Sequence, residues 1–128
     1  MSTWDYQFFD ESEFVCGCCG EHNMDHEFMK KLVNLRRAFS KPMIITSGYR
    51  CIIHNGNVGG SRHSPHMEGV ACDVKVVGGD ALRFVSHAEF CGFKGIGVKQ
   101  SGDWGSRFIH VDTAESTKDR NRPWLWSY

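Results

Sequence analysis

The segment from Ser64 to Asp73, SPHMEGVACD, constrains the fold more than any other part of the sequence. It ends a long glycine-rich run and enters a stretch of strand character, Val70 to Val77, whose residues alternate between two faces. Asp73 therefore lies inside a strand, where a buried carboxylate without a partner is costly. Gly69 allows a turn between loop and strand, so His66 and Asp73 can approach one ion.

A third ligand is needed, because a catalytic zinc site typically has three imidazole or carboxylate ligands and an open fourth position. His110 lies in the middle of a second apolar strand, Arg107 to Asp112, and is the best remaining candidate. Taken alone, a histidine in a strand is more often a satisfied core residue, and Asp73 could be a capping or salt-bridged carboxylate. Because three elements can converge here, the sequence favours a metal site.

The remaining sequence predicts a single domain over residues 1–128. Apolar residues recur at a helical period from His26 to Phe39, with Asp25 as the N-cap, and Asp80 can cap a second helix to about Phe90. Further predictions are a strand at Met43–Ser47, an irregular loop at Asn55–Gly69 and a hairpin of Gly95–Val98 with Arg107–Asp112. The aromatic tail, Arg122–Tyr128, is expected to pack on the core as a lid, with a ligand platform as the less favoured alternative. The expected fold is α+β, a small antiparallel sheet that carries the ligands with two helices on one side.

Charge and hydropathy exclude several partners. Lys+Arg and Asp+Glu are both 15, so no strong field draws the chain to nucleic acid or to an anionic membrane. The first segment, MSTWDYQFFDESEF, has no basic and apolar signal regions, and no stretch of 18 apolar residues follows. We expect a monomer made in the cytoplasm without a signal peptide, with no membrane insertion.

The six cysteines are expected to be reduced, with no obligatory disulfide, because no signal peptide is recognised. The cluster Cys16-Gly17-Cys18-Cys19 could bind a structural metal with Cys51 as a further ligand. It lacks the paired CxxC spacing of zinc ribbons and knuckles, so buried free thiols are the preferred interpretation.

Several motifs resemble one known family when they are taken in chain order. They are Ser12-Glu13-Phe14 with Cys16, Ser47-Gly48-Tyr49-Arg50-Cys51 with His54-Asn55, Val58-Gly59-Gly60, SPHMEGVACD and FIHVDT. Together they cover nearly the whole chain. They resemble the metallopeptidase family of the zinc D-Ala-D-Ala carboxypeptidases and the phage L-alanyl-D-glutamate endopeptidases, most closely its short single-domain members of the carboxypeptidase branch. The resemblance implies a D-Ala-D-Ala peptidase or hedgehog-like fold.

By this resemblance, His66, Asp73 and His110 would bind Zn²⁺, and Arg50 would hold a carboxylate or carbonyl of the substrate. A guanidinium can pair with a carboxylate through two hydrogen bonds, and peptidoglycan stem peptides carry several carboxylates. Arg50 as a plain surface residue is the alternative. Ser64 is expected either to orient the substrate or to tie down its own loop.

The general base is where the sequence departs from the family pattern. Many relatives have an acidic residue three positions before the last histidine ligand, or a histidine two positions before it. Here those positions are Arg107 and Phe108, and neither can act as a base. The first candidates for the base are Asp112 and Asp103, followed by His63 and Glu68. Asp112 could equally accept a hydrogen bond from a ligand imidazole and so fix its tautomer.

The resemblance implies zinc-dependent hydrolysis of an amide bond in bacterial peptidoglycan, as a D,D-carboxypeptidase or an endopeptidase. A lytic or virion-associated phage enzyme, acting on the wall after release, would suit a chain without a signal peptide. The alternative is a zinc-binding structural or wall-recognition module without catalysis, which the doubtful base supports. A third interpretation, a redox or nucleic-acid-binding module, would place the metal on Cys16, Cys18 and Cys19.

Overall fold

The computed structural model describes residues 4–128 and confirms the predicted α+β fold. Five strands form one sheet in the spatial order β1-β2-β4-β3-β5. The strands are β1 (Ile44–Ser47), β2 (Ala71–Lys75), β3 (Gly95–Lys99), β4 (Phe108–Asp112) and β5 (Trp124–Ser127), and the helices are α1 (His26–Phe39), α2 (Ile52–Asn57) and α3 (Gly78–Phe90). Three short 3-10 helices lie at Glu11–Glu13, Pro65–Glu68 and Trp104–Ser106. None of the helices in residues 4–128 is long and apolar enough to cross a membrane.

Helix α1 has the bounds that the apolar period predicted. The Asp25 side chain accepts a hydrogen bond from the backbone N–H of Phe28 and so satisfies one of the first free donors of the helix. At the other end, Ser40 adopts a left-handed conformation with φ 62°, and its N–H bonds to the Arg36 carbonyl. Local sequence signals therefore determine both ends of this helix.

The hydrophobic core lies between the helices and one face of the sheet. Phe28 and Leu32 of α1 and Phe84 of α3 are fully buried, and they belong to one cluster with alternate residues of the central strands. Those strand residues are Cys72, Val74, Ile96, Ile109 and Val111. Because side chains alternate along a strand, the intervening residues of β2, β3 and β4 lie on the opposite face.

The tail forms a strand rather than the predicted lid on the core. β5 pairs in parallel with β3, whereas all other neighbouring strands are antiparallel. As an edge strand it leaves Trp124 and Leu125 exposed. The predicted hairpin of β3 and β4 is confirmed as an antiparallel pair. The sheet as a whole is mixed, because β5 pairs with β3 in parallel.

Two further local predictions were wrong. The run from Asn55 to Gly69 is not wholly irregular, because α2 extends into it and a 3-10 helix forms at Pro65–Glu68. Helix α3 begins at Gly78, with Val77 as its N-cap and no side-chain cap. The Asp80 carboxylate instead pairs with Lys41 at 2.8 Å and with Arg83 at 2.9 Å on the surface.

Candidate functional site

The site is organised by one row of residues that crosses the sheet opposite the core. The strand register aligns Ser47 with Asp73, Asp73 with His110, His110 with Gly97, and Gly97 with Trp126. Register fixes the face as well as the neighbour, so these five residues share the face away from the helices. The sheet thus places a carboxylate, an imidazole and an indole side by side.

His66 reaches the same point from the 3-10 helix Pro65–Glu68. The Ser64 hydroxyl caps this helix by accepting a hydrogen bond from the N–H of His66, and Gly69 ends it at φ 73°. A β-carbon on Gly69 would lie 1.8 Å from the Asn23 carbonyl oxygen, so only glycine fits this turn. Ser64 therefore ties down its own loop, which is one of its two predicted roles.

The three predicted ligands converge. One donor atom from each of His66, Asp73 and His110 lies within 4.8 Å of the others, and all three residues are buried. His66 Nε2 is 3.3 Å and His110 Nδ1 is 3.1 Å from the same oxygen, Asp73 Oδ1. Two nitrogens and a carboxylate oxygen on three separate elements make a donor set that suits zinc.

The outer nitrogen of each imidazole already has a hydrogen-bond acceptor. His66 Nδ1 lies 2.7 Å from the Gly48 carbonyl oxygen, and His110 Nε2 lies 2.7 Å from Asp112 Oδ2. These acceptors favour a proton on the outer nitrogens, so the inner nitrogens, which face Asp73, would be available to a cation as lone-pair donors once they carry no proton. Metal-binding histidines are commonly held by such partners, and the arrangement therefore fits a cation bound between the three residues.

Charge interactions in the site outweigh the effect of burial on its carboxylates. Burial raises the pKa of Asp73, but hydrogen bonds from His110 and His66 bring it well below its ordinary value. Burial also raises the pKa of Asp112, yet hydrogen bonds from His110 and Arg122 lower it to about 2. Burial lowers the pKa of His110, but Asp112 and Asp73 raise it more, so its net shift is upward. Both aspartates are therefore anionic at neutral pH.

A pocket of about 650 Å³ opens over these residues. Its wall combines guanidinium groups with aromatic rings: Arg50, Arg120, Arg122, Phe108, Trp124, Trp126 and Tyr128. The centroid of the Trp126 ring is 5.1 Å from that of His110. Gly97 makes this contact possible, because a β-carbon there would lie 2.5 Å from Trp126.

Arg50 is the wall residue with the longest hydrogen bonds among these arginines. Its Nε is 3.1 Å from Ser47 Oγ, its Nη1 is 3.4 Å from Asn55 Oδ1, and its Nη2 is 3.4 Å from Asp73 Oδ2. By contrast, Arg120 donates to Glu68 at 2.7 Å and Arg122 donates to Asp112 at 2.8 Å and 2.9 Å. Arg50 is therefore the best placed of the three to exchange its present acceptors for a ligand.

The structure separates the two leading candidates for the base from the pocket wall. Asp112 is fully buried behind His110 and is also held by Arg122, and Asp103 is exposed as the N-cap of the 3-10 helix Trp104–Ser106. Neither lines the pocket, whereas His63 does. The Arg107 guanidinium bonds to the Gly102 carbonyl. The catalytic roles of Asp112 and Asp103 stay predictions.

Sequence reasoning did not select as site residues seven wall residues that follow the last motif. These are Asp119, Arg120, Asn121, Arg122, Trp124, Trp126 and Tyr128. Their composition, charged and aromatic, was visible in the sequence, but their place beside His110 depends on the parallel pairing of β5 with β3. No periodic pattern signals such a long-range pairing.

Fold and site together define a small α+β domain with a buried His–Asp–His donor set beneath an open pocket, which is an arrangement typical of zinc hydrolases. The sequence profile of the Peptidase M15 family matches residues 7–112, and the chain belongs to this family of zinc metallopeptidases. No curated protein matches the chain in a sequence search. The matched segment contains the three converging residues, whereas β5 and Arg122 lie beyond it.

Proposed function

We propose that this protein hydrolyses an amide bond in peptidoglycan stem peptides, as a D,D-carboxypeptidase or an endopeptidase, with zinc held by His66, Asp73 and His110. The observation that carries the proposal is the convergence of these donors at the base of a pocket, in a chain of a peptidase family. When bound, zinc supplies a Lewis acid for the scissile carbonyl and lowers the pKa of water to about 7.

The protein's own residues would position the substrate and the ligands. Gly48 and Asp112 hold the outer nitrogens of the two imidazoles and so fix the direction of the inner ones. Arg50 is proposed to pair with a substrate carboxylate, because its long contacts leave it the least committed of the pocket arginines. The Trp126 ring beside His110 would exclude water from one side of the scissile bond.

A second candidate function is a zinc-binding wall-recognition module without catalysis. Two observations favour it. The two leading candidates for the base, Asp112 and Asp103, lie outside the pocket wall, and Arg107 and Phe108 occupy the positions where many relatives have a base. Such a module would use the same pocket to bind stem peptides. The two functions therefore predict the same ligands and differ in turnover.

The test is incubation of zinc-loaded protein with defined muropeptides, followed by mass spectrometry of the products. We expect loss of a terminal D-Ala or cleavage within the stem, and His66→Ala or Asp73→Ala should abolish both metal binding and cleavage. If zinc-loaded wild type binds stem peptides but never cleaves them, the peptidase is refuted and the recognition module is supported. Absence of both zinc and peptide binding would overturn both candidates.

Arg50→Ala tests the substrate contact separately. Loss of a charge-assisted hydrogen bond costs about 1.5–3 kcal/mol, so kcat/KM should fall roughly 10- to 100-fold while zinc content stays unchanged. Arg62→Ala is the matched control, because Arg62 is exposed in the neighbouring loop and does not line the pocket. An equal fall in both variants would remove Arg50 from the substrate site.

A further inference from the structure

A second group of metal-binding side chains lies outside the pocket, and we call it the thiol cluster. It consists of Cys16, Cys18, Cys19, Cys51 and His54. Two sets of three, Cys16 with Cys19 and Cys51, and Cys16 with Cys18 and His54, each bring their ligand atoms within 4.8 Å of one another. The donors come from two segments that are more than thirty residues apart in sequence, so the fold and not local sequence gathers them.

The distances between the sulfur atoms suit a single tetrahedral ion. Cys16 Sγ is 3.8 Å from Cys18 Sγ and 3.6 Å from Cys51 Sγ, and Cys18 Sγ is 3.2 Å from Cys51 Sγ. Thiolates at about 2.3 Å from a tetrahedral zinc ion are about 3.8 Å apart. The separations are far too long for a sulfur–sulfur bond of about 2.05 Å. The spacing therefore resembles that of ligands around a metal.

The backbone around the thiol cluster has the form of a metal-binding turn. Cys16-Gly17-Cys18-Cys19-Gly20 contains one Cys-x-x-Cys pair, and Gly20 closes the turn at φ 71° with its N–H bonded to the Cys16 carbonyl at 2.9 Å. Across from it, Cys51 and His54 are separated by two residues at the start of α2. A Cys-x-x-Cys turn facing a Cys-x-x-His pair is a ligand spacing typical of structural zinc sites.

Backbone and side-chain contacts hold the donors in this arrangement. The N–H of Cys51 points to Cys16 Sγ at 3.5 Å, and the N–H of His54 points to Cys51 Sγ at 3.4 Å. The His54 ring lies against Gly17, where a β-carbon would be 3.2 Å from its Cε1 atom. Amide donors aimed at sulfur favour the thiolate, which is the form that binds metal.

Burial does not account for these cysteines. Cys18 and Cys19 are exposed and Cys51 is partly exposed, so the expectation of buried free thiols is wrong for them. It holds for Cys16, which is buried. Exposed thiols gathered at contact distance have no packing role, and a shared metal ion explains why they are together.

We infer that the thiol cluster binds a second zinc ion with a structural role. Cys16 and Cys51 are ligands in this assignment, and two of the three residues Cys18, Cys19 and His54 fill the other two positions of the tetrahedron. The ion joins the amino-terminal turn to the segment before α2, and because only the folded chain gathers these ligands, its binding free energy stabilises the fold.

This second ion would also support the pocket. Arg50 immediately precedes Cys51, and the Gly48 carbonyl that orients His66 lies on the same segment. Gly48 packs against the Phe14 backbone, where a β-carbon would lie 2.7 Å from Cα, and the N–H of Tyr49 bonds to the Phe14 carbonyl at 2.9 Å. The amino-terminal turn and the segment that carries Arg50 are therefore one packed unit.

The first test is the metal content of the full chain purified from zinc-supplemented medium. We expect about two zinc ions per chain in wild type and about one in either His66→Ala or Cys16→Ser/Cys51→Ser, because each change removes ligands of a single site. Cys91→Ser is the matched control, since Cys91 lies at the end of α3 outside the thiol cluster, and it should keep both ions.

A cobalt spectrum identifies the type of ligand directly, and wild type alone already tests for thiolate ligands. Cobalt-substituted His66→Ala should retain the intense thiolate-to-cobalt charge-transfer band in the near ultraviolet, whereas the Cys16→Ser/Cys51→Ser protein should lose it. Wild type that binds about one ion and shows no such band would overturn the inference. So would a disulfide between Cys18 and Cys51 in protein purified without metal depletion. Failure of stem-peptide cleavage, by contrast, bears only on the proposed function.

Discussion

The ion pair between Arg122 and Asp112 gives the sharpest prediction about the site. Arg122 Nε is 2.9 Å from Asp112 Oδ1 and Nη2 is 2.8 Å from Oδ2, so the pair is bidentate. The Asp112 side chain is fully buried and that of Arg122 is 8% exposed. Gly95 makes room for both, because a β-carbon there would lie within 2.5 Å of either side chain. The perturbation is Arg122→Met, which keeps an unbranched side chain out to about the position of Nε and removes the charge.

The expected loss follows from what remains around Asp112. Breaking a buried ion pair by removing one partner costs about 3–5 kcal/mol, because the other charge is left without compensation. Asp112 keeps hydrogen bonds from His110 Nε2 at 2.7 Å and from the N–H of Ala114 at 3.2 Å. The loss should therefore fall near the lower end, about 3 kcal/mol in the free energy of unfolding, or roughly 10 °C in Tm.

A second effect should appear in metal binding. Asp112 accepts the proton of His110 Nε2, and without Arg122 the carboxylate is free to move away from the imidazole. Loss of such an outer partner typically weakens metal affinity about 10- to 100-fold. Urea unfolding of the metal-free protein measures the stability change, and competition with a chromophoric chelator measures zinc affinity.

Two controls separate the ion pair from a general effect of losing an arginine. Arg83→Met removes a surface pair with Asp80, in which the side chains are 62% and 36% exposed, and should cost no more than about 1 kcal/mol. Asp112→Asn combined with Arg122→Met removes both charges and should be more stable than Arg122→Met alone. The reasoning is refuted if Arg122→Met costs less than about 1 kcal/mol with unchanged zinc affinity, or if the double variant loses the sum of the single losses.

Three further predictions test the fold and the metal. Gly97→Ala should displace the Trp126 ring and cost about 1–3 kcal/mol, measured by urea unfolding, whereas Gly105→Ala, where a β-carbon meets nothing within 4 Å, should be nearly neutral. Asp25→Ala should cost about 1 kcal/mol through loss of the α1 cap, more than Asp80→Ala, whose carboxylate makes only surface pairs; equal losses would contradict the capping assignment. Removal of metal by a chelator should lower Tm, and added zinc should restore it; an unchanged Tm would argue against zinc bound preferentially by the folded state.

Much of the fold could be predicted because its signals are local. The α1 helix has an apolar stripe and a capping aspartate next to each other in sequence, and its bounds were predicted from them. Alternation along β2 and β4 placed Asp73 and His110 each on a definite face, and the register confirms that they are partners. Where one residue's neighbours in sequence decide its conformation, pattern reasoning succeeds.

The missed features depend on distant parts of the chain. The sequence around Trp124 does not indicate that β5 will pair in parallel with β3. That pairing requires a long connection, and it requires a glycine at position 97 so that Trp126 can pack there. The role of Asp112 was open for a similar reason: its partner Arg122 follows ten residues later, and their contact exists only after β5 has added to the sheet. Asp80 resembled a cap in sequence, but Lys41 and Arg83 hold its carboxylate instead.

The site, like the fold, contains residues placed by local sequence and residues placed by distant strand pairing. His66, Asp73 and His110 lie within the segment that matches the Peptidase M15 family, on elements whose form the local sequence largely determines. Arg122 and Trp126 lie after that segment and reach the same pocket only through β5. Changes at Trp124 or Tyr128 can therefore reshape one wall without touching the residues that hold His110, whereas Arg122 also acts on His110 through Asp112. We expect the metal chemistry to follow from the family, and the choice of peptide substrate to depend on Arg50 and on this added strand.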